Sequence, residues 1–478
     1  MKLFPIAILL LGILLKGMPV FSQNNQEKKN ILMIVFDDLR PLIGAYGEPD
    51  PLTPNLDAFA KDAVRFNRAY VNYPICSPSR AAMITGVRFD YYSKEKKKKL
   101  KFDDMIASQQ TWPTILKENG YWTATRGKIY HGDVPKSEKS SWHIPGNFWI
   151  NKGSRDGDAT IKSKIVEIGG DQKAVQKYMK KTATPSALIY ASVDGPDDLL
   201  NDGKTTNDVV DYIKNKRDKS KPFAIACGFG RPHLPWVAPK KYFDMYPEDA
   251  GTLAYFPKGT KKSIADEFFS DKHKSAGWNE GMDDETSKKL IRGYMASSTF
   301  VDAQMGKVIK ALKDEGLYED TIIIVWGDHG YHLTDHGLWR KGTGYNVALR
   351  SPLMIKTPSV TKPKVVEHVV QNIDIYPTIL ELAGIEQPKS IGLKGHSLVP
   401  LIDQKNPKWN HFAYTCAKQS YGVVTDKYRF TKTQAGDYHL YDLEKDPEEW
   451  NNLAKEPKYQ KLVKELETKM NTVVWNKP

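Results

Sequence analysis

Cysteine is scarce: the 478 residues contain only Cys76, Cys227 and Cys416. An exported chain that relied on disulfides would carry an even and denser set, so this fold must rest on its own hydrophobic core. Long apolar runs are scarce too. The run Leu3 to Leu15 falls short of the roughly 20 residues that span a bilayer, so stable membrane insertion is not expected. There is no internal repeat, and no low-complexity segment beyond KEKKKKLK, Lys94 to Lys101. With 40% hydrophobic and 27% charged residues, the composition excludes a disordered tail, a small disulfide scaffold and a polytopic membrane protein.

What is present starts with a leader. Lys2 precedes the apolar run, and Ser22 and Gln23 stand near a cleavage point, so residues 1–22 read as a signal peptide and the protein is expected to be exported, to the periplasm or beyond. Lys and Arg total 70 against 57 Asp and Glu, a formal charge of +13. Such a balance in an exported protein favours polyanionic partners: sulfated or uronic polysaccharide, anionic membrane or nucleic acid. Much of the excess sits in the lysine run, which reads first as a solvated loop.

Apolar strand-like runs alternate with helical periodicity, the pattern of an α/β architecture. NILMIVF, Asn30 to Phe36, suits a central parallel strand. A helix follows, with Thr53 as N-cap and Pro54 at its first position. Further strands are predicted at Phe223 to Gly228, Thr321 to Trp326 and Pro352 to Lys356. A helix carrying Met305, Val308, Ile309 and Leu312 on one stripe precedes the second of these and stops at Gly316. From Tyr130 to about Thr205 periodicity is weak, and the segment reads as long surface insertions. After about Val399 short β-rich runs take over and end in a helix from about Pro457 to Val473. The expected fold is a large, mostly parallel sheet flanked by helices, with a smaller C-terminal antiparallel β plus helix subdomain: residues 23–398 and 399–478.

Three short segments carry chemistry. In CSPSRAAMITG, Cys76 to Gly86, Ser77 is a good N-cap and Pro78 a good first helical residue, which puts Cys76 just before an anion-attracting helix terminus. Asp37 and Asp38 follow one strand, and Asp328 and His329 follow another. Acidic pairs beyond the carboxyl ends of parallel strands commonly hold a hard divalent cation. Each pair is also compatible with a cap or a turn, and Cys76 with an ordinary capped helix.

CSPSRAAMITG resembles the signature of type I sulfatases of the alkaline phosphatase superfamily, Cys-x-Pro-Ser-Arg followed by Leu-Thr-Gly, with Ile84 in place of Leu. The likeness runs from about Lys29 to the closing YHLYDLEKDPEEWNNLA. Within that group it is strongest to the iduronate-2-sulfatase type, through VFDDLRPLIGAYG, GYWTATRGKIYHGD, GFGRPHLPW and WGDHGYHLTDHGLWRKGT.

The resemblance implies that a maturating enzyme converts Cys76 to formylglycine. One Ca²⁺ would be held by Asp37, Asp38, Asp328, His329 and residue 76. It further implies that the hydrated aldehyde attacks sulfur, with Asp328 as base and Arg80 orienting the diol. Lys128 and His131 would support residue 76 and contact sulfate, His131 serving as the base that expels it. His233 and Lys341 would bind sulfate and protonate the leaving oxygen. The implied partner is a sulfated, uronic-acid-containing polysaccharide or its oligosaccharides, ulvan among them, and not nucleic acid. Two rivals stand beside this reading: a phosphatase or phosphonate hydrolase of the same superfamily, and a non-catalytic binder of sulfated glycan.

Weaker candidates are His332, Asp335 and His336, which read as loop-shaping residues more than a metal cluster. Trp236, Trp339 and Tyr345 could stack on a sugar ring, and Arg88 could read a carboxylate.

Overall fold

The strand Asn30–Asp37 is buried along almost its whole length because a hydrophobic core covers each face of its sheet. Ile31, Met33 and Val35 enter one core together with Ala81, Met83 and Ile84 of the Cys76–Thr85 helix. Leu32, Ile34 and Phe36 enter the other, against Tyr294, Val301, Met305 and Leu312 of the Asp284–Asp314 helix. In this computed structural model the described residues are 28–48, 50–89, 102–148, 159–180, 187–258, 282–360, 362–388, 390–403, 408–417 and 420–473. The expected leader and the lysine run lie outside them.

The large sheet has eight strands, in the order Lys364–Gln371, Val64–Tyr70, Leu353–Lys356, Thr321–Gly327, Asn30–Asp37, Phe223–Pro232, Trp122–Gly127 and Ile144–Pro145. Leu353–Lys356 runs antiparallel to both neighbours, and every other pairing is parallel. A separate four-stranded antiparallel sheet, Ala413–Ala417, Ser420–Val424, Tyr428–Thr433 and Tyr438–Asp442, packs on the Gln460–Asn471 helix through Tyr414, Phe430, Leu440, Val463 and Leu466. These are the expected mostly parallel sheet and small antiparallel unit. Leu398, Leu401, Ile402 and Trp409 still belong to the larger core, so the small sheet starts only at Ala413.

One segment differs from its sequence reading. Between Tyr130 and Thr205 the chain builds part of a second core layer, because Ile165–Gly170 and Ile189–Val193 join Trp236–Pro239 in a three-stranded sheet. All five residues of Ile189–Val193 are buried. A strand covered on both faces shows no alternation, and in a stretch of only five residues that leaves little sequence signal.

The Pro54–Ala60 helix has Thr53 at its N-cap position, but Thr53 makes no capping bond. Asp302, fully buried on the long helix, accepts from the Leu56 N–H (2.7 Å), the Asn55 N–H (3.1 Å) and Asn55 Nδ2 (2.7 Å) instead. Burial raises its carboxyl to about 6, against the pull of those donors. The folded state thus holds this proton more tightly than the unfolded chain does, so stability falls as pH rises from about 4 through about 6. Asp302→Ala should lower stability by about 2 kcal/mol near neutral pH, where the orphaned donors outweigh the relieved carboxylate. It should also flatten that pH dependence, both read by thermal unfolding across pH.

Candidate active site

Parallel strands deliver their C-terminal ends to one edge of the sheet, and four of them do so side by side here. Asp37 ends one strand and Asp38 follows it, while Phe36 is in register with Gly327, which places Asp328 and His329 alongside. Lys128 follows Trp122–Gly127, and His233 follows Phe223–Pro232. Gly127 has φ +76, and a Cβ there would collide with the Gly228 carbonyl oxygen, so only glycine allows these two strand ends to approach. Asp38 itself turns the chain with φ +67, a conformation aspartate tolerates better than most residues.

The Cys76–Thr85 helix points its first residue at this edge. Ile75, not Ser77, occupies the N-cap position, so Cys76 is the first helical residue and not the one before it. Cys76 Sγ lies 3.3 Å from His329 Nε2, 3.6 Å from Asp38 Oδ1 and 3.1 Å from Lys341 Nζ. Asn372 Nδ2 donates to the Ser79 carbonyl (3.0 Å), and Ser79 Oγ donates to the Asp328 carbonyl, which fixes the helix against the strand end.

Ligand atoms of Asp37, Asp38, Cys76 and His329 all fall within 4.8 Å of one another. His329 Nδ1 donates to the Gly330 carbonyl (2.8 Å), which turns Nε2 toward Asp38 Oδ1 at 3.2 Å and toward Cys76. This donor set of two carboxylates, an imidazole nitrogen and residue 76 fits a divalent cation. Asp328 borders the group, with Oδ1 3.6 Å from His329 Nε2. Its two oxygens are engaged by Arg80 Nε (2.9 Å) and by the Asp38 N–H (2.9 Å).

Cations surround these acids. Arg80, fully buried, also donates to the Lys128 carbonyl and reaches Asp37 Oδ1 at 3.4 Å. Lys128 pairs with Asp37, and Lys341 with Asp38. Burial alone would raise Asp37, yet Lys128, His233, Arg80 and Lys341 hold it well below the usual carboxylate range. Burial also works against Asp38, which Lys341 and His233 keep lowered. Burial and Asp37 push the Cys76 thiol up against the pull of Lys341 and Lys128. His233 Nε2 stands 4.0 Å from Asp38 Oδ2. Desolvation of the ring, and then the charge of Lys128, lower the His131 imidazole to about 4.

The weaker candidates separate from this centre. His332 bonds Thr343 Oγ1 (2.7 Å), Asp335 pairs with Arg40 (2.7 Å) and His336 stacks on Tyr345 at 4.0 Å, so the three shape a loop. Trp236, Trp339 and Tyr345 are fully buried and offer no face to a sugar. The Arg88 guanidinium lies 5.8 Å from the centre of the Tyr414 ring. Tyr294 was not singled out: its hydroxyl donates to the Asp38 carbonyl (2.9 Å) and accepts the Arg40 N–H (2.9 Å), bracing the turn that carries the acids. In the sequence it sits on the apolar stripe of a long helix like any core aromatic.

A helix start, acidic strand ends and buried cations meet at one sheet edge, in a chain of the alkaline phosphatase-like sulfatase superfamily. The sulfatase family model matches residues 29–385, and a model described as N-sulphoglucosamine sulphohydrolase, C-terminal, matches residues 334–476. The chain belongs to the sulfatase family and is a sulfuric ester hydrolase.

It is 31% identical to a sulfatase of Formosa agariphila over 93% of this chain and 86% of that one. It is 27% identical to mouse iduronate 2-sulfatase over 80% and 73% of the two chains, and 27% identical to an ulvan-active sulfatase of Formosa agariphila over 98% and 86%. A structure solved in complex with its substrate D-glucosamine-2-N,6-O-disulfate superposes with a TM-score of 0.68 at 21% identity, covering 93% of this chain and 97% of that one.

Removing Arg80 leaves Asp328 and Asp37 buried without their shared cation. Arg80→Ala should therefore destabilise the fold by about 3–5 kcal/mol, measured by urea denaturation.

Proposed function

We propose that this protein hydrolyses sulfate esters on a sulfated, uronic-acid-containing polysaccharide or its oligosaccharides, with formylglycine at position 76 and one Ca²⁺ at the acidic group. The observation that carries the reading is the convergence of Asp37, Asp38, His329 and residue 76 within 4.8 Å, behind the intact Cys-Ser-Pro-Ser-Arg segment. The iduronate- and ulvan-directed relatives support the substrate class. Among the described residues there is one such ligand group, which counts against a two-cation phosphatase.

A bound Ca²⁺ supplies Lewis acidity toward the sulfate oxygens. Formylglycine in its hydrated form supplies the hydroxyl nucleophile that a thiol does not. The chain's own groups do the rest. Arg80 holds residue 76 against the sheet edge and keeps Asp328 oriented. Asp328 takes up the proton of the attacking oxygen. Lys341, 3.1 Å from Cys76 Sγ, together with Lys128, binds sulfate oxygens. Lys341 and His233 are assigned to the leaving oxygen; the proton comes from Lys341, because burial lowers the His233 imidazole to about 3 and leaves it neutral, and neutral His131 accepts a proton when sulfate departs.

Protein co-produced with a maturating enzyme should show a peptide containing residue 76 about 18 Da lighter than the cysteine form, the thiol-to-aldehyde difference on which the nucleophile depends. It should release sulfate from at least one of a panel of iduronate, glucuronate and ulvan-type oligosaccharides, lose that activity to EDTA and regain it with Ca²⁺. Cys76→Ala retaining wild-type turnover would sink the proposal.

A further inference from the structure

The three-stranded sheet extends the site sideways. Trp236–Pro239 starts three residues after His233, and Tyr190 is in register with Trp236, Gly170 with Ile189. Gly170, where the outer strand ends, therefore lies at the same end of this sheet as His233, two strands across, or about 10 Å. The Gln172–Lys180 helix begins there and packs back on the sheet through Tyr178, Ala174 and Val175, against Ile165, Ile168 and Ile189.

The opposite face of that helix is basic. Lys173, Lys177 and Lys180 are exposed and, at spacings of four and three residues, form one stripe, with exposed Lys164 on the adjoining strand connection. None of these four lysines is paired with a carboxylate among the described residues. The acids of the unit serve the fold instead: Asp171 accepts the Ala174 N–H (2.6 Å) and Glu167 pairs with Arg292 (3.1 Å).

Other surface helices mix their charges. Lys240 pairs with Asp244, Lys289 with Glu285 and Lys310 with Asp314, each four residues apart. A face evolved only to be wet would mix signs in the same way, since like charges at these spacings oppose the helix. A stripe with no paired carboxylate among the described residues, on the sheet whose last strand starts three residues after His233, fits an extended polyanion.

We propose that Lys164, Lys173, Lys177 and Lys180 form a second contact for polymeric substrate, gripping sulfate and carboxylate groups of the glycan on sugars beyond the one being desulfated. The inference rests on the sulfated-polysaccharide reading above and adds a surface outside the catalytic centre.

The test compares matured wild type with the triple variant K173Q, K177Q and K180Q, chosen because Gln keeps helix propensity. Heparin serves as the polyanion probe, and the activity substrates are a polymer and a disaccharide taken from the glycan that wild type desulfates. The variant should bind heparin about tenfold more weakly at low salt, with a shallower dependence on salt concentration. Its KM should rise on polymer, with kcat and KM on the disaccharide unchanged. Equal losses on polymer and disaccharide, or unchanged affinity for heparin, would overturn the proposal. So would lost binding to anionic phospholipid vesicles with heparin affinity intact. Wild type that grips heparin through these lysines but releases no sulfate from any glycan would support the surface and count against the activity.

Discussion

Three carboxylates buried together make the demand that the rest of the active site answers. Asp37, Asp38 and Asp328 are each at most 1% exposed, and isolated ionised carboxylates in such a place would cost many kcal/mol. Their compensation arrives from three separate elements: Arg80 from the Cys76–Thr85 helix, Lys128 from a strand end and Lys341 from a loop. Each ion pair is therefore also a long-range tether. The helix start, the strand order and the loop carrying Lys341 cannot shift independently without stranding a charge. Lys341 bridges Asp38 and residue 76, two of the donors that a divalent cation would share. Electrostatics thus demands positive charge at this point whether an ammonium or a metal supplies it.

Much of this was legible in the sequence because the relevant signals are local. NILMIVF could be read as a doubly covered strand without any partner in view, and the acids directly after it had to lie at a strand end. The same holds for IIIVWGDHG. The parallel sheet then brings Asp37 and Asp328 together by register, which no local pattern states but which the fold class implies. The basic residues Lys128, His131, His233 and Lys341 had no such local signal. A lone lysine or histidine in a loop has many ordinary roles, and only the resemblance to sulfatases singled these out.

What escaped the sequence was context of two kinds. Caps depend on backbone dihedrals: Ser77 has the right chemistry for an N-cap, yet Ile75 holds the extended conformation and Cys76 is already helical. Burial of large residues depends on neighbours that are distant in the chain. Trp236 and Trp339 meet at 6.0 Å and Tyr345 is stacked by His336, so the aromatics flanking His233 and Lys341 are packing anchors. Tyr294 shows the converse, a core-stripe residue whose hydroxyl reaches the Asp38 turn.

The division between rigid and variable parts follows from the same physics. Asp37, Asp38, Asp328 and Cys76 sit at strand ends and a helix start, where backbone hydrogen bonding fixes their positions. The proposed glycan contact falls instead on the added sheet of Ile165–Gly170, Ile189–Val193 and Trp236–Pro239, whose last strand starts three residues after His233. Its weak periodicity, which made it look like surface filler, is what a small added layer produces when one strand is wholly covered and its helix gives one face to a lysine stripe. The segment hardest to read for fold is thus the one to which the proposed glycan contact is assigned.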